Sequence, residues 1–285
     1  MRLPLTVIGG YLGAGKTTLI NRLLSEDHGL RLLVMVNDFG AINIDAGLLK
    51  SATDDTLELS NGCVCCTMGA DLFMAVGDVL DRPERPDHLV IEASGIADPA
   101  RIAQVAQTEP ELAYGGIAVL VDALAYDDLS RDLQIGAQLR SQVDVADILL
   151  VSKTEDGAWP EALGRPALDL GEVDQIAPLL VGLRPGAVPQ PGVSHAQYVS
   201  WNDPDPKPQS RERLTALMQN RPKGLLRFKG VVPDGDAGWE VHGVGKTWSI
   251  KPREPGTPTG VVGIGLKSRI SVSDIRDWWA MALTA

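Results

Sequence analysis

The segment Gly10–Thr17 constrains the fold of this 285-residue chain more than any other feature of its sequence. It reads Gly-Tyr-Leu-Gly-Ala-Gly-Lys-Thr, which fits the pattern G-x-x-x-x-G-K-[ST] at every position. It follows the apolar stretch Leu3–Ile8 and leads into a helical pattern at Lys16–Leu24. A glycine-rich turn that binds nothing is the alternative, and the flanking strand and helix disfavour it.

This segment predicts a phosphate-binding loop. Its glycines let backbone N–H groups surround phosphate oxygens beside a helix N-terminus. We assign Lys16 to the β- and γ-phosphates, where its charge would aid catalysis, and the Thr17 hydroxyl to Mg²⁺. The predicted nucleotide contacts of the loop are Gly10, Gly13, Ala14, Gly15, Lys16, Thr17 and Thr18.

The first 180 residues or so alternate short apolar runs with helical patterns, which predicts an α/β domain built on a mainly parallel sheet. The strands are apolar nearly throughout, as expected where both faces of a sheet are covered. The predicted strands are Leu3–Ile8, Leu32–Asn37, His88–Glu92, Ile117–Val121, Ile148–Val151 and Pro178–Val181. The predicted helices are Lys16–Leu24, Gly69–Leu80, Pro99–Ala106, Leu129–Val143 and Trp159–Ala162.

A proline-rich stretch, 183–209, is interpreted as a linker between a domain at 1–182 and a small α+β domain at 210–285. The second domain mixes helical and strand patterns. Its predicted helices are Arg211–Gln219 and Ser271–Leu283, and its predicted strands are Leu225–Val232, Trp239–His242, Lys246–Ile250 and Gly260–Leu266.

Two residues after the strand His88–Glu92 complete the expected phosphate site. Glu92 ends the strand and is predicted to hold the Mg²⁺ shell through water, which makes it a catalytic candidate. Gly95 follows three residues later, and its backbone N–H is expected to sense a γ-phosphate. The alternative is a strand that merely ends in a solvated glutamate.

A third segment, Ser152-Lys153-Thr154-Glu155, has the layout of the guanine-reading pattern N-K-x-D. In that pattern a carboxylate accepts hydrogen bonds from the guanine N1 and amino group, while the lysine stem covers the ring. Ser152 stands at the Asn position and Glu155 at the Asp position. Because a glutamate can make the same paired contact, we expect GTP as the nucleotide, with Asp156 as a substitute reader.

All three cysteines lie within four positions, as Cys63, Cys65 and Cys66. Neighbours this close cannot form the loop-closing disulfides of a secreted scaffold. Clustered thiolates bind soft or borderline cations, which favours Zn²⁺ and leaves Co²⁺ open. The alternative is three small buried cysteines without a ligand.

Composition and charge exclude some classes of binding partner. With 26 Lys and Arg against 37 Asp and Glu, the formal net charge of −11 disfavours nucleic acid. The apolar runs are far shorter than the ~20 residues of a membrane span, so no membrane association is expected. The first residues lack the features of a signal peptide, which predicts a cytoplasmic protein.

Taken together, these motifs resemble those of the CobW-like P-loop GTPases, a family of metallochaperones. The resemblance rests on Gly9–Thr18, Asn37–Gly40, Cys63–Cys66, Glu92–Pro99 and Ser152–Glu155, and it extends to Leu225–Gly230 and Val262–Gly265 in the second domain. It implies a GTPase that carries metal on its cysteines to a client metalloprotein. It also makes Asp38 the candidate carboxylate of the first switch.

Besides the altered N-K-x-D pattern, the chain departs from the family in two further ways. Ala41 replaces a second glutamate after Asn37-Asp38-Phe39-Gly40, and the histidine-rich tract of many members is missing, with 4 histidines in all. Two other functions stay open from the residues alone: a nucleotide-gated metal-binding or regulatory protein with negligible turnover, and a P-loop small-molecule kinase. The sequence also leaves a homodimer open.

Overall fold

A computed structural model describes residues 2–36, 56–58, 70–191, 198–235, 237–245, 247–253 and 259–284. These residues belong to two compact units, one up to residue 191 and one from residue 198. Asp38, Cys63, Cys65 and Cys66 lie outside the described residues, so their assigned roles stay predictions.

In the described part of the first unit, seven strands form one sheet in the order β3-β2-β4-β1-β5-β6-β7, and neighbouring strands run parallel. The strands are β1 Leu3–Gly10, β2 Leu32–Val36, β3 Thr56–Glu58, β4 His88–Glu92, β5 Leu112–Asp122, β6 Ile148–Ser152 and β7 Leu168–Asp169. The α-helices are α1 Lys16–Ser25, α2 Ala70–Leu80, α3 Pro99–Ala103, α4 Val105–Thr108, α5 Tyr126–Ser130, α6 Gly136–Asp144 and α7 Ile176–Val181.

The core of this unit explains the continuous apolar runs. Strands β2 and β4 are buried at every residue, as expected where both faces of a parallel sheet are covered. Leu19 and Leu23 of α1 pack in one cluster with Leu180 of α7. Because the strands are parallel, the carboxyl ends of β1, β4 and β6 meet at one edge of the sheet, which is where ligands bind in open α/β sheets.

The second unit is antiparallel. Its sheet has the order β11-β10-β9-β12-β8, with β8 Tyr198–Asp203, β9 Leu225–Asp234, β10 Ala237–Val244, β11 Thr247–Pro252 and β12 Gly260–Leu266. Helices α8 Arg211–Gln219 and α9 Val272–Thr284 belong to the same unit. Phe228 of β9 meets Trp278 of α9 edge to face, with ring centroids 5.0 Å apart, so aromatic contacts join the last helix to the sheet.

The predicted fold class is confirmed, with five local corrections. The single helix predicted at Pro99–Ala106 is two short helices, α3 and α4. Pro178–Val181 is not a strand but part of α7. The single helix predicted at Leu129–Val143 is two helices, α5 and α6. The helix predicted at Trp159–Ala162 is a short 3₁₀ turn at Glu161–Leu163. Residues 183–209, predicted to be a linker, contain strand β8, which lies at the edge of the sheet. An edge position tolerates neighbouring prolines best, because a proline has no N–H to donate to a partner strand.

None of the helices in the described residues has both the length and the apolar character that crossing a bilayer requires.

Candidate functional site

The phosphate loop follows β1 in a conformation that glycine alone adopts easily. Gly10, Gly13 and Gly15 have φ of 132°, 81° and 96°, all in the region that favours glycine. At Gly10 a Cβ would also lie 2.6 Å from the carbonyl oxygen of Leu120 on β5. The three glycines are therefore required by backbone conformation, and at Gly10 by close packing on the neighbouring strand as well.

Lys16 begins α1, and its side chain turns back into the loop. It is 5% exposed, and its Nζ donates to the carbonyl oxygens of Gly10 at 2.9 Å and Tyr11 at 3.5 Å. These oxygens compensate the buried charge in the described structure. The ammonium is thus held against the backbone of the loop, while the neighbouring Thr17 is half-buried and Thr18 is exposed.

The pairing of β4 with β1 places Glu92 next to the strand that leads into the phosphate loop. It is the register partner of Ile8 on β1, and the next residue, Ala93, donates its N–H to the Ile8 carbonyl at 2.8 Å. The side chains of Glu92 and Ser94 are buried, at 4% and 6% exposed, and within the described part of the chain the Ser94 hydroxyl has no hydrogen-bond partner. The strand pairing therefore places a carboxylate and an unsatisfied hydroxyl next to the strand that carries the loop.

These oxygens suit Mg²⁺. The hydroxyl of Thr17 and the carboxylate of Glu92 are the hard ligands that this ion prefers. The buried hydroxyl of Ser94 is a further donor or acceptor that a hydrated ion or a phosphate would satisfy. The residues present therefore fit the ion that nucleotide phosphates bring with them.

The turn at Ser94–Ala97 contacts the phosphate loop at Gly95. A Cβ on Gly95 would lie 2.6 Å from Cδ2 and 2.8 Å from the backbone nitrogen of Leu12. The backbone of the expected γ-phosphate sensor therefore approaches the loop as closely as packing permits. Two buried glutamines of α6, Gln138 and Gln142, hold this turn, and no motif in the sequence pointed to them.

The segment 152–156, which begins with the last residue of β6 and is the predicted base-reading segment, is buried at its start and exposed at its end. Ser152 is 8% exposed and its Oγ donates to the carbonyl of Ala14 at 2.8 Å, so it links β6 to the phosphate loop. Lys153, with φ of 61°, forms an ion pair with Asp122 at the end of β5. Glu155 and Asp156 are both exposed.

Two further carboxylates support this segment and were also missed. Asp122 holds the Lys153 ammonium, and Asp169 at the end of β7 accepts from Thr154 Oγ1 at 2.7 Å. The signal for Asp122 was available, because it directly follows the predicted strand Ile117–Val121. For Asp169 the strand has two residues, too few for a pattern to show.

No metal centre is found in the part of the chain that the structure describes: it contains no group of three or more His, Cys, Asp or Glu side chains able to hold an ion. In the second unit His242 Nε2 lies 2.6 Å from Glu240 Oε1. Burial lowers the pKa of His242, against the opposing effect of the Glu240 hydrogen bond.

Comparisons with known proteins cover both units. Residues 4–176 match the family model described as the CobW/HypB/UreG nucleotide-binding domain. Residues 198–280 match the model described as the cobalamin synthesis protein cobW C-terminal domain.

Curated relatives match the chain in part. A protein named zinc chaperone CobW from Sinorhizobium sp. is 32% identical over 182 residues, which are 54% of this chain and 51% of the relative. A protein named zinc chaperone YjiA from Escherichia coli is 36% identical over 169 residues, 56% of this chain and 52% of the relative. The chain therefore spans about half the length of these relatives. A crystal structure of Zn(II)-bound YjiA GTPase from E. coli aligns over 99% of both chains, with 23% identity and a TM-score of 0.47.

Proposed function

Because this chain belongs to the CobW/HypB/UreG family of nucleotide-binding proteins, we propose that it is a GTP-hydrolysing metallochaperone that delivers a transition metal to a client metalloprotein in the cytoplasm. The observation that carries the proposal is the phosphate loop, which holds the buried Lys16 ammonium beside the strand that ends in Glu92. The relatives named zinc chaperones make Zn²⁺ the first candidate for the cargo and leave Co²⁺ as the second.

Lys16 is the centre of the phosphate chemistry in this proposal. In the described structure its Nζ bonds the carbonyls of Gly10 and Tyr11. On nucleotide binding it exchanges these neutral acceptors for β- and γ-phosphate oxygens, which are stronger acceptors for a cation. The amides of the loop add donors at the N-terminus of α1, where the helix dipole favours negative charge.

Hydrolysis needs charge stabilisation more than covalent chemistry from the protein. Lys16 and the loop amides would lower the energy of the charge that develops on the β- and γ-phosphates. Mg²⁺, held by Thr17 directly and by Glu92 through water, would supply further neutralisation at the phosphate oxygens. Asp38 is our candidate for ordering the first switch.

Base selection is assigned to the segment after β6. Lys153 would cover the guanine ring with its stem while Asp122 holds its ammonium. Glu155 would accept the N1 and amino hydrogens, with Asp156 as the substitute. Both carboxylates are exposed and so can reach a ligand without the cost of dehydrating a buried charge.

The cargo site is assigned to Cys63, Cys65 and Cys66. Three thiolates leave one position of a tetrahedral Zn²⁺ site for a ligand from elsewhere, which a client could supply during transfer. We assign client recognition to the domain at 210–285, extended by β8. The cysteines lie in sequence between Asp38 and Glu92, so we expect nucleotide state to alter metal affinity, and metal to alter GTP affinity by the same factor.

The test measures both ligands on one purified sample. Zinc is titrated against a chelator with GDP bound and with a non-hydrolysable GTP analogue bound, using Cys65→Ser and Cys66→Ser as controls. We expect a difference of roughly 5- to 150-fold between the two nucleotide states, the usual range for allosteric coupling. Equal zinc affinities would refute the coupling even if both ligands bind.

Phosphate release distinguishes the remaining alternatives. We expect hydrolysis of GTP in preference to ATP, with phosphate released to water. GTP binding with negligible release, with and without metal and client, would identify a nucleotide-gated metal-binding regulator instead. Phosphate transfer from ATP to a small molecule would identify a kinase.

A further inference from the structure

Every backbone carbonyl in the turn after β4 accepts a hydrogen bond. The Ser94 carbonyl accepts from the Ala97 N–H at 2.9 Å, which closes the turn. Gln142 Nε2 donates to the carbonyls of Ala97 at 2.7 Å and Gly95 at 3.4 Å. Gln138 Nε2 donates to the Ile96 carbonyl at 2.5 Å. The turn is thus held by its own hydrogen bond and by two side chains of one helix.

Gln138 and Gln142 lie four residues apart on α6, which places both amides on the same face of the helix. Each is 2% exposed. Burying a primary amide is unfavourable unless its hydrogen bonds are replaced, and the amide donors of both residues reach this turn. Their described contacts to the turn therefore satisfy Nε2 donors of two buried amides on a helix whose Leu139 and Val143 are core residues.

These contacts also fix the direction of the N–H groups. In a planar trans peptide the N–H points opposite to the C=O of the same unit. Gln142 and Gln138 hold the carbonyls of Gly95 and Ile96 and so set the directions of the amides of Ile96 and Ala97. The Ala97 amide in turn donates to the Ser94 carbonyl, which sets the direction of the Gly95 amide. Gly95 in turn packs directly against Leu12 of the phosphate loop.

Gln142 also lies close to the phosphate loop. It lines a small, mostly apolar cavity together with Tyr11, Leu12 and Ala14 of the loop. Its Oε1 is buried and has no hydrogen-bond partner among the described residues. One glutamine thus borders both the phosphate loop and the turn that would sense the γ-phosphate.

We propose that Gln138 and Gln142 are positioning residues that preset the Ser94–Ala97 turn to recognise the terminal phosphate of a nucleoside triphosphate. The inference rests on the proposed function in one respect, that nucleotide binds at the phosphate loop. A diphosphate has no group at the position that the turn would contact. The two glutamines should therefore strengthen triphosphate binding and leave diphosphate binding almost unchanged.

The test uses Gln142→Met and Gln138→Met, because methionine has similar length and no hydrogen-bond donor. The matched control is Gln209→Met, which removes another buried glutamine from the second unit. Affinities for GDP and for a non-hydrolysable GTP analogue are measured by calorimetry. ADP and a non-hydrolysable ATP analogue are measured in parallel. We expect each α6 variant to weaken the triphosphate analogue about fivefold to tenfold, the effect of losing one or two hydrogen bonds. GDP affinity should change less than about twofold in the same variants.

Equal weakening of diphosphate and triphosphate would refute the proposal, because a general loss of packing acts on both. Unchanged triphosphate affinity in a folded variant, judged by its unfolding temperature, would refute it too. If Gln142→Met does not fold, Gln138→Met still decides the matter, since it removes the hydrogen bond to the Ile96 carbonyl. An unmodified chain that binds no nucleotide would overturn the proposed function as well, whereas nucleotide binding that ignores both glutamines would overturn this inference alone.

Discussion

The candidate site has a phosphate side, formed by the loop Gly10–Thr17 and Glu92, and a base side, formed by residues 152–156. The two sides differ in how deeply their charged side chains are buried. On the phosphate side the charged residues Lys16 and Glu92 are 5% and 4% exposed. On the base side the two candidate readers, Glu155 and Asp156, are both exposed. A buried charge needs partners in fixed places, so the phosphate side tolerates little change in residue type. An exposed carboxylate has few such requirements, and at that position the chain has Glu155 in place of the Asp of the N-K-x-D pattern.

The largest effect should come from Lys16→Ala, which breaks the phosphate side. Removing one charged donor aimed at the transition state should lower GTP hydrolysis about 10²- to 10³-fold or more. The fold should persist, because Nζ donates to carbonyls of its own loop. Phosphate release and thermal unfolding measured on the same sample check both statements.

The matched control is Lys153→Ala, which removes a lysine from the base side. It should reduce the preference for guanine while hydrolysis of bound GTP falls much less than in Lys16→Ala. Undiminished hydrolysis in Lys16→Ala would remove the phosphate loop from the mechanism.

The same contrast explains what the sequence could predict. The loop Gly10–Thr17 was predicted with its strand and helix, because positive φ at Gly10, Gly13 and Gly15 ties the backbone to residue type. The strand Gly260–Leu266 and the helix Arg211–Gln219 were predicted with their observed bounds, since each has one dominant pattern.

Where local pattern is ambiguous, tertiary contacts decided the outcome. Pro178 is the third residue of α7, where the missing N–H has no intrahelical acceptor to lose, so the apolar run could form a helix. The Asp132 carboxylate accepts from the N–H groups of Gln134 and Ile135, which separates α5 from α6. Gln138 and Gln142 gave no signal of their own, because their role depends on a turn about 45 residues earlier in the chain.

A second prediction tests which of the two exposed carboxylates, Glu155 or Asp156, reads the base. Glu155→Gln should lower the ratio of GTP to ATP affinity about tenfold or more, because the amide replaces one acceptor with a donor that faces the guanine hydrogens. Asp156→Asn is the matched change, and it should alter the ratio less than about twofold. Asparagine also suits the positive φ of 68° at that position, so the variant should keep its fold.

Competition binding with GTP and ATP measures these ratios. The reverse order of effects would assign base reading to Asp156. Equal small effects would show that neither carboxylate reads the base.

The smallest effect is expected from Ser152→Ala, which tests the link between the two sides. The variant loses the hydrogen bond to the Ala14 carbonyl. We expect this loss to make the free energy of nucleotide binding about 1 kcal/mol less favourable. Because that bond supports the loop and not the base, GDP and GTP should both weaken about fivefold, with the GTP-to-ATP ratio unchanged. Calorimetric titration of the three nucleotides checks this, and a change in the ratio would show that Ser152 contacts the base.

The bond between Ser152 and Ala14 joins residues 138 positions apart, and this has a consequence for the timing of biosynthesis. The phosphate loop leaves the ribosome before Glu92, Gln142 and Ser152, which follow much later in the chain. At about 5–20 residues per second, synthesis of the intervening chain takes roughly 7–28 s. During that interval the nascent chain carries the loop sequence without the strands and helix that support it. On the proposed function, nucleotide capture would therefore require that the chain up to Ser152 has been made and folded.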